Sequence, residues 1–169
     1  MRVMALDLGF CCGYGVVGRN YIRSGTHRLD GGSSQMGAAF RSLRATVLRI
    51  VDKHQPDHLC AAIPYVAMKA NPINLIPIMG FYCRLQEIAD EISAPFYPVN
   101  EARARKAFLS PIPIPRKSVD IKRAIHDSCK QRGWPSTDDH ATDALCVAHY
   151  LLATLDQDDA VTSLPLFAA

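Results

Sequence analysis

The chain has 169 residues, 49% of them hydrophobic and 21% charged, with a formal net charge of +3. That is enough chain for one substantial core, no apolar run approaches the roughly 20 residues of a membrane span, and the N-terminus carries no secretory signal pattern. The six cysteines include no CxxC pair, and Cys60 and Cys146 sit in apolar runs, so a soluble protein without a disulfide framework or zinc centre is expected.

In chain order, "RVMALDL" (Arg2–Leu8) reads as an apolar strand holding one carboxylate, and "GFCCGYG" as a turn. "YGVVGR" and "YIRSGTHRL" continue as two short strands joined at Asn20, completing a meander. "GGSS" ends it and caps an amphipathic helix from Ser34 to His54, whose Phe40, Leu43, Val47, Ile50 and Val51 recur at helical spacing until Pro56. "DHLCAAI" is a compact central strand and "PYVAMKANP" a loop. Residues 73–92 form a second helix, kinked or delayed at Pro77. "APFYPV" is a short strand and "NEARARKAFL" a short basic helix with Asn100 as N-cap. "SPIPIP" is a stiff connector. Residues 116–132 form a basic helix ended by Gly133, and 138–154 the last helix. Residues 1–154 read as one domain, and 155–169 as a loose tail.

The order β-β-β-α-β-α-β-α-α predicts an α/β fold. Its mixed five-stranded sheet has three antiparallel and then parallel strands, with helices on both faces. Charge divides unevenly: residues 100–132 hold nine Lys and Arg against three acids, and 133–169 hold six Asp and no Lys or Arg. A basic segment beside an acidic one suits a metal-dependent enzyme acting on a polyanion; ordinary solvated helices are the alternative.

Two acidic positions stand out. An uncompensated carboxylate at Asp7, inside an apolar strand, is costly. Gly9 and Gly13 let the backbone turn tightly and approach a ligand closely. At the other end, "DDHATDALCVAHYLL" opens a helix. Ser136 with Asp139, or Asp138 alone, accounts for its cap. His140 and Asp143 are left over, three apart on one face and turned toward the sheet. Two ionised carboxylates about 4 Å apart repel by roughly 4 kcal/mol at an effective dielectric near 20, and a divalent cation between them reverses the sign. Asp7 and Asp143 are therefore expected to be metal ligands.

"ALDLGFCCGYGVV" resembles the first strand and hairpin of RuvC-type Holliday junction resolvases in the RNase H-like superfamily, and "HATDALCVAHYLL" resembles their final helix. The resemblance spans residues 1–153 in element order, with sharp motifs only at the two ends. It implies first-strand and last-helix carboxylates at Asp7 and Asp143, and a ligand at His140, where that family accepts Asp or His. It also implies a fourth-strand glutamate, and here this chain departs. Phage-like relatives carry Glu-x-Pro-Tyr, which places the missing glutamate at Ala62. An alternative alignment places it at Pro64, a poor residue for an interior strand. Since the rest of the site is maintained, Ala62 reads as an inactivating replacement, with a naturally degenerate homologue as the alternative.

In the intact site, the resemblance implies two Mg²⁺ or Mn²⁺ ions roughly 4 Å apart, one activating water and one stabilising the leaving 3′-oxygen. It assigns Lys117 to the scissile phosphate. Arg103, Arg105, Lys106, Arg116, Lys117, Lys122 and Arg123 are expected phosphate contacts. Tyr65, Lys69 and Asn71, in the loop after the fourth strand, are expected to probe branch structure. The expected activity is resolution of four-way junctions or other branched DNA, with this chain impaired. A non-catalytic binding homologue, or a nuclease for flaps, forks or structured RNA, is the rival. A D-x-G turn also opens actin-like ATPases, but 169 residues leave no room for their second domain. A homodimer is expected from paired symmetric cuts, although Ile76, Met79, Phe81 and Leu85 are assigned first to core packing. Trp134 is expected to pack under the turn before the last helix. The reading implies a cytoplasmic protein of a bacterial or phage-infected cell, with no membrane partner and no small-molecule cofactor.

Overall fold

The computed structural model describes residues 1–64, 72–111, 113–115 and 117–162. Its elements are β1 (Arg2–Asp7), β2 (Cys11–Gly18), β3 (Tyr21–Arg28), α1 (Met36–His54), β4 (His58–Ala62), α2 (Pro72–Glu91), β5 (Phe96–Val99), α3 (Glu101–Leu109), α4 (Ser118–Gln131) and α5 (Asp139–Thr162). The five strands form one sheet in the order β3-β2-β1-β4-β5. β1, β2 and β3 pair antiparallel, while β4 and β5 add in parallel to β1 and to each other. The expected α/β architecture is thus present.

Side-chain alternation splits the core into two layers. Val3, Ala5 and Cys60 face one way and pack with Phe108, Ile125, Leu145 and Leu151 from α3, α4 and α5. Met4, Leu6, Leu59 and Ala61 face the other way, onto Leu43, Val47, Phe81 and Leu85 from α1 and α2. Both faces of the sheet are therefore covered, which suits the continuous apolar runs of β1 and β4.

Three local expectations need correction. "GFCCGYG" is not all turn: Cys11, Cys12 and Gly13 belong to β2, and Gly13 pairs with Asp7 across the hairpin. The "GGSS" serines do not cap α1; Gln35 holds that position without a side-chain cap hydrogen bond. Helix α5 does not stop at residue 154 but runs to Thr162, because Leu151, Leu152 and Leu155 continue the apolar stripe onto the core.

Other features stand as expected. Asn100 caps α3, its side chain accepting from the Arg103 N–H at 3.0 Å. Trp134 packs on Phe108 and His149, with the Arg132 guanidinium 4.2 Å from the Phe108 ring centre. The core packing expected of the α2 stripe holds only in part: Phe81 and Leu85 are fully buried, but Ile76 is 64% and Met79 40% exposed, because they lie on the helix face turned away from the sheet. Among the described residues, no helix is long and apolar enough to cross a membrane.

Candidate active site

The site forms at the carboxyl ends of β1 and β4, under the start of α5. In the parallel β1–β4 ladder Leu6 lies opposite Ala61, so the next rung sets Asp7 beside Ala62. Asp7 follows the alternation of Val3 and Ala5, and Ala62 that of Cys60, so both point to the α5 side of the sheet. A carboxylate at position 62 would therefore start beside Asp7.

Helix α5 reaches Asp7 through two glycines of β2. A Cβ at Gly13 would lie 2.2 Å from the His140 carbonyl oxygen, and one at Gly15 2.6 Å from the Leu145 nitrogen. Only a strand without side chains there lets the helix backbone sit so close. The purpose of Gly13 is thus helix seating, not the tight turn toward a ligand that the sequence implied. The usable signal was a Gly-x-Gly alternation that bares one strand face opposite an apolar helix.

Asp138 fastens the entry to α5. Its Oδ1 accepts from the Ala141 N–H at 2.9 Å and from the Thr26 hydroxyl of β3 at 2.7 Å. Burial opposes its ionisation, but these hydrogen bonds outweigh it and hold Asp138 below the usual carboxylate range. Asp138 alone, rather than Ser136 with Asp139, is therefore the cap.

With the helix seated, His140 Nδ1–H donates to Asp7 Oδ2 at 2.6 Å. One turn on, Asp143 turns its carboxylate inward; its side chain is 9% exposed. Arg105 Nη2 of α3 stands 3.4 Å from both Asp143 oxygens, and Lys122 Nζ of α4 3.8 Å from one of them. Arg105 also pairs with Glu101 at 2.6 Å, and Lys122 with Asp139 at 3.8 Å. Burial pushes the Asp143 carboxyl up to about 6; Arg105 draws it down, the nearby Asp7 charge raises it, and Lys122 lowers it again.

This shift carries a stability consequence. A carboxyl whose folded pKa lies above its unfolded value favours folding while protonated and loses that contribution as pH rises from the ordinary carboxylate range through about 6. From 3.8 to about 6, at 1.36 kcal/mol per unit, ionised Asp143 costs about 3 kcal/mol at neutral pH. Asp143→Asn should therefore be the more stable chain in metal-free neutral buffer, and the difference should shrink toward the acid end of that window. Urea titrations of both chains across this range check the sign.

The basic residues separate into two groups. Arg103, Lys106, Lys117 and Arg123 are exposed on α3, on α4 and at its N-cap, open to a polyanion, with Arg123 also 4.0 Å from Asp120. Arg105 and Lys122 are engaged with the acidic centre. Sequence reading placed them with the outer contacts, although the Glu101–Arg105 spacing is that of an i,i+4 helix pair. Tyr65, Lys69, Asn71 and Arg116 lie outside the described residues.

The donor set decides how far this centre suits divalent ions. Asp7, His140 and Asp143 supply two carboxylates and an imidazole, and Ala62 supplies nothing. Among the described residues, no group of three or more His, Cys, Asp and Glu side chains is gathered closely enough to hold a metal ion. As it stands, the centre does not fit the two-ion site that the resemblance implies for an intact relative.

No protein-family model matches the sequence, and no curated protein matches it. Solved structures do share its fold. The Thermus thermophilus RuvC in complex with Holliday junction substrate is 17% identical at a TM-score of 0.68, covering 92% of this chain and 96% of that one. The yeast mitochondrial Holliday junction resolvase Ydc2 is 17% identical at 0.59, over 94% and 82%. The Fowlpox virus resolvase, with its substrate Holliday junction DNA, is 11% identical at 0.53, over 92% and 99%. The fold is thus the RNase H-like fold of the RuvC-type resolvases, matched over nearly the whole chain.

Proposed function

We propose that this chain is a branched-DNA-binding protein built as a junction-resolving endonuclease whose phosphodiester hydrolysis is silenced at position 62. The observation that carries this reading is the His140–Asp7 hydrogen bond where β1 ends, with Ala62 on the adjoining rung and the buried Asp143 within reach of the Asp7 charge. Two of the solved structures of the same fold, the Thermus thermophilus RuvC and the Fowlpox virus resolvase, are complexes with Holliday junction DNA, which supports branched DNA as the substrate class. An active member of this design would hold divalent ions, Mg²⁺ or Mn²⁺, on its carboxylates to activate water and stabilise the leaving oxygen. No hydrolytic step is assigned to the centre as it stands.

What this chain's residues do is bind and position. Exposed Arg103, Lys106, Lys117 and Arg123 supply phosphate contacts on the helices flanking the centre. Each contact made steepens the salt dependence of binding, by a slope of about 0.9 per phosphate on duplex arms. The test is a gel-shift comparison of a four-way junction with linear duplex of the same arms at low salt. The junction should bind at least about tenfold tighter, a difference of 1.4 kcal/mol. Equal affinity for both, or no binding, removes the reading. Flap and fork DNAs and structured RNA in the same panel decide the substrate within the class.

A homodimer belongs to this proposal. Ile76, Ile78 and Met79 expose apolar surface on α2, which a second copy about a two-fold axis would cover. Two copies would offer one centre to each of two symmetric strands. Ile76→Asp/Met79→Asp should convert a dimer to a monomer in sedimentation velocity without lowering the melting temperature of the subunit core.

A further inference from the structure

We propose that the positive charge facing Asp143 in this chain comes from Arg105 and Lys122 and not from divalent ions, so that Mg²⁺ and Mn²⁺ leave its stability unchanged while both cations are in place and position 62 lacks a carboxylate. This concerns the acidic centre alone and is independent of which nucleic acid binds.

Three observations support it. First, Ala62 leaves the Asp7 rung one carboxylate short, which removes a donor from any ion that Asp7 and Asp143 might share. Second, both Asp143 oxygens already face the Arg105 guanidinium, and one also faces the Lys122 ammonium. A dication seated on the same oxygens would meet two like charges. Third, both cations are placed by partners of their own. Glu101 lies one helical turn before Arg105 on α3 and holds it at 2.6 Å, and Asp139 at the start of α5 shares Lys122 at 3.8 Å. Arg105 is mostly covered, its side chain 19% exposed. It reaches Asp143 as a short bridge from α3 to α5, with Lys122 the matching bridge from α4. Two monovalent side chains thus tie three helices together through one buried carboxylate, which is the mechanical duty that shared divalent ions perform between elements.

Melting temperatures in EDTA and in millimolar MgCl₂ or MnCl₂ test this, with calorimetric titration of Mn²⁺ as a second readout. The unaltered chain should melt at one temperature in all three buffers and give no binding heat. Ala62→Glu should melt higher with either ion than in EDTA, by about 2–4 °C for each kcal/mol of ion binding. Arg105→Ala/Lys122→Ala should melt below the unaltered chain in EDTA and regain part of the loss with either ion. If the double variant does not fold, Lys122→Ala repeats the comparison at a half-exposed position. The proposal is overturned if the unaltered chain gains as much from the ions as Ala62→Glu does. It is equally overturned if the cation variants melt with the unaltered chain and ignore the ions. Neither result touches the junction-binding comparison, which uses no variant at the centre.

Discussion

Ala62→Glu should cleave four-way junctions in Mg²⁺ or Mn²⁺ at least about 10²-fold faster than the unaltered chain, the scale on which one charge-stabilising group acts in an active site. The substituted side chain would start on the Asp7 rung and point to the α5 face. A cavity of about 310 Å³ lined by Ile63, Pro64, Asn100, Glu101 and Ala102 opens just past the end of β4. With a third carboxylate present, Arg105 can withdraw onto Glu101, its shorter contact, and release Asp143. Cleavage of end-labelled junctions, resolved on denaturing gels, measures the change. Asp7→Asn in the Ala62→Glu background should abolish it. A restored chain that binds junctions but never cuts them would end the nuclease half of the proposal. One that binds no branched DNA at low salt would end all of it.

Gly13→Ala should destabilise the chain by about 3 kcal/mol, the upper end of ordinary overpacking, and lower its melting temperature by about 6–12 °C. The added methyl would meet the His140 carbonyl oxygen at 2.2 Å, and backbone cannot swing aside as a side-chain tip can. Helix α5 must lift from β2, which draws His140 from Asp7 and exposes part of the Leu145 layer. Gly32→Ala is the control, because a Cβ there has nothing within 4 Å. It should change stability by less than about 0.5 kcal/mol. If both variants melt together, α5 is not seated on the β2 glycines, and the site geometry described above fails with it.

Fold and site were unequally legible. The apolar runs of β1 and β4 and the helical stripe of α1 depend on local residue order, so element types and their sequence follow from a reading of the chain. Element ends followed less well. Gly13 looks like turn chemistry because a strand glycine and a turn glycine are indistinguishable without the helix that packs on one of them. The end of α5 slipped for the same reason: Leu155 favours helix only because a core lies beneath it. At the site, Asp7, His140 and Asp143 were each visible as a residue out of keeping with its surroundings, whereas Ala62, an alanine in an apolar strand, stood out only through the resemblance.

The sequence by itself determined a mixed α/β sheet and two distant acidic positions, since these are matters of pattern and residue type; the absent carboxylate was implied only by the resemblance. The tertiary structure alone decided which groups face Asp143. Arg105 and Lys122 stand 38 and 21 positions from it, counted from their numbers, and although Arg105 is spaced to pair with Glu101, no local pattern says that either cation reaches Asp143. Charge interactions fall with distance in space and not along the chain. The counter-charge of the centre therefore came into view only once α3, α4 and α5 were packed on the sheet.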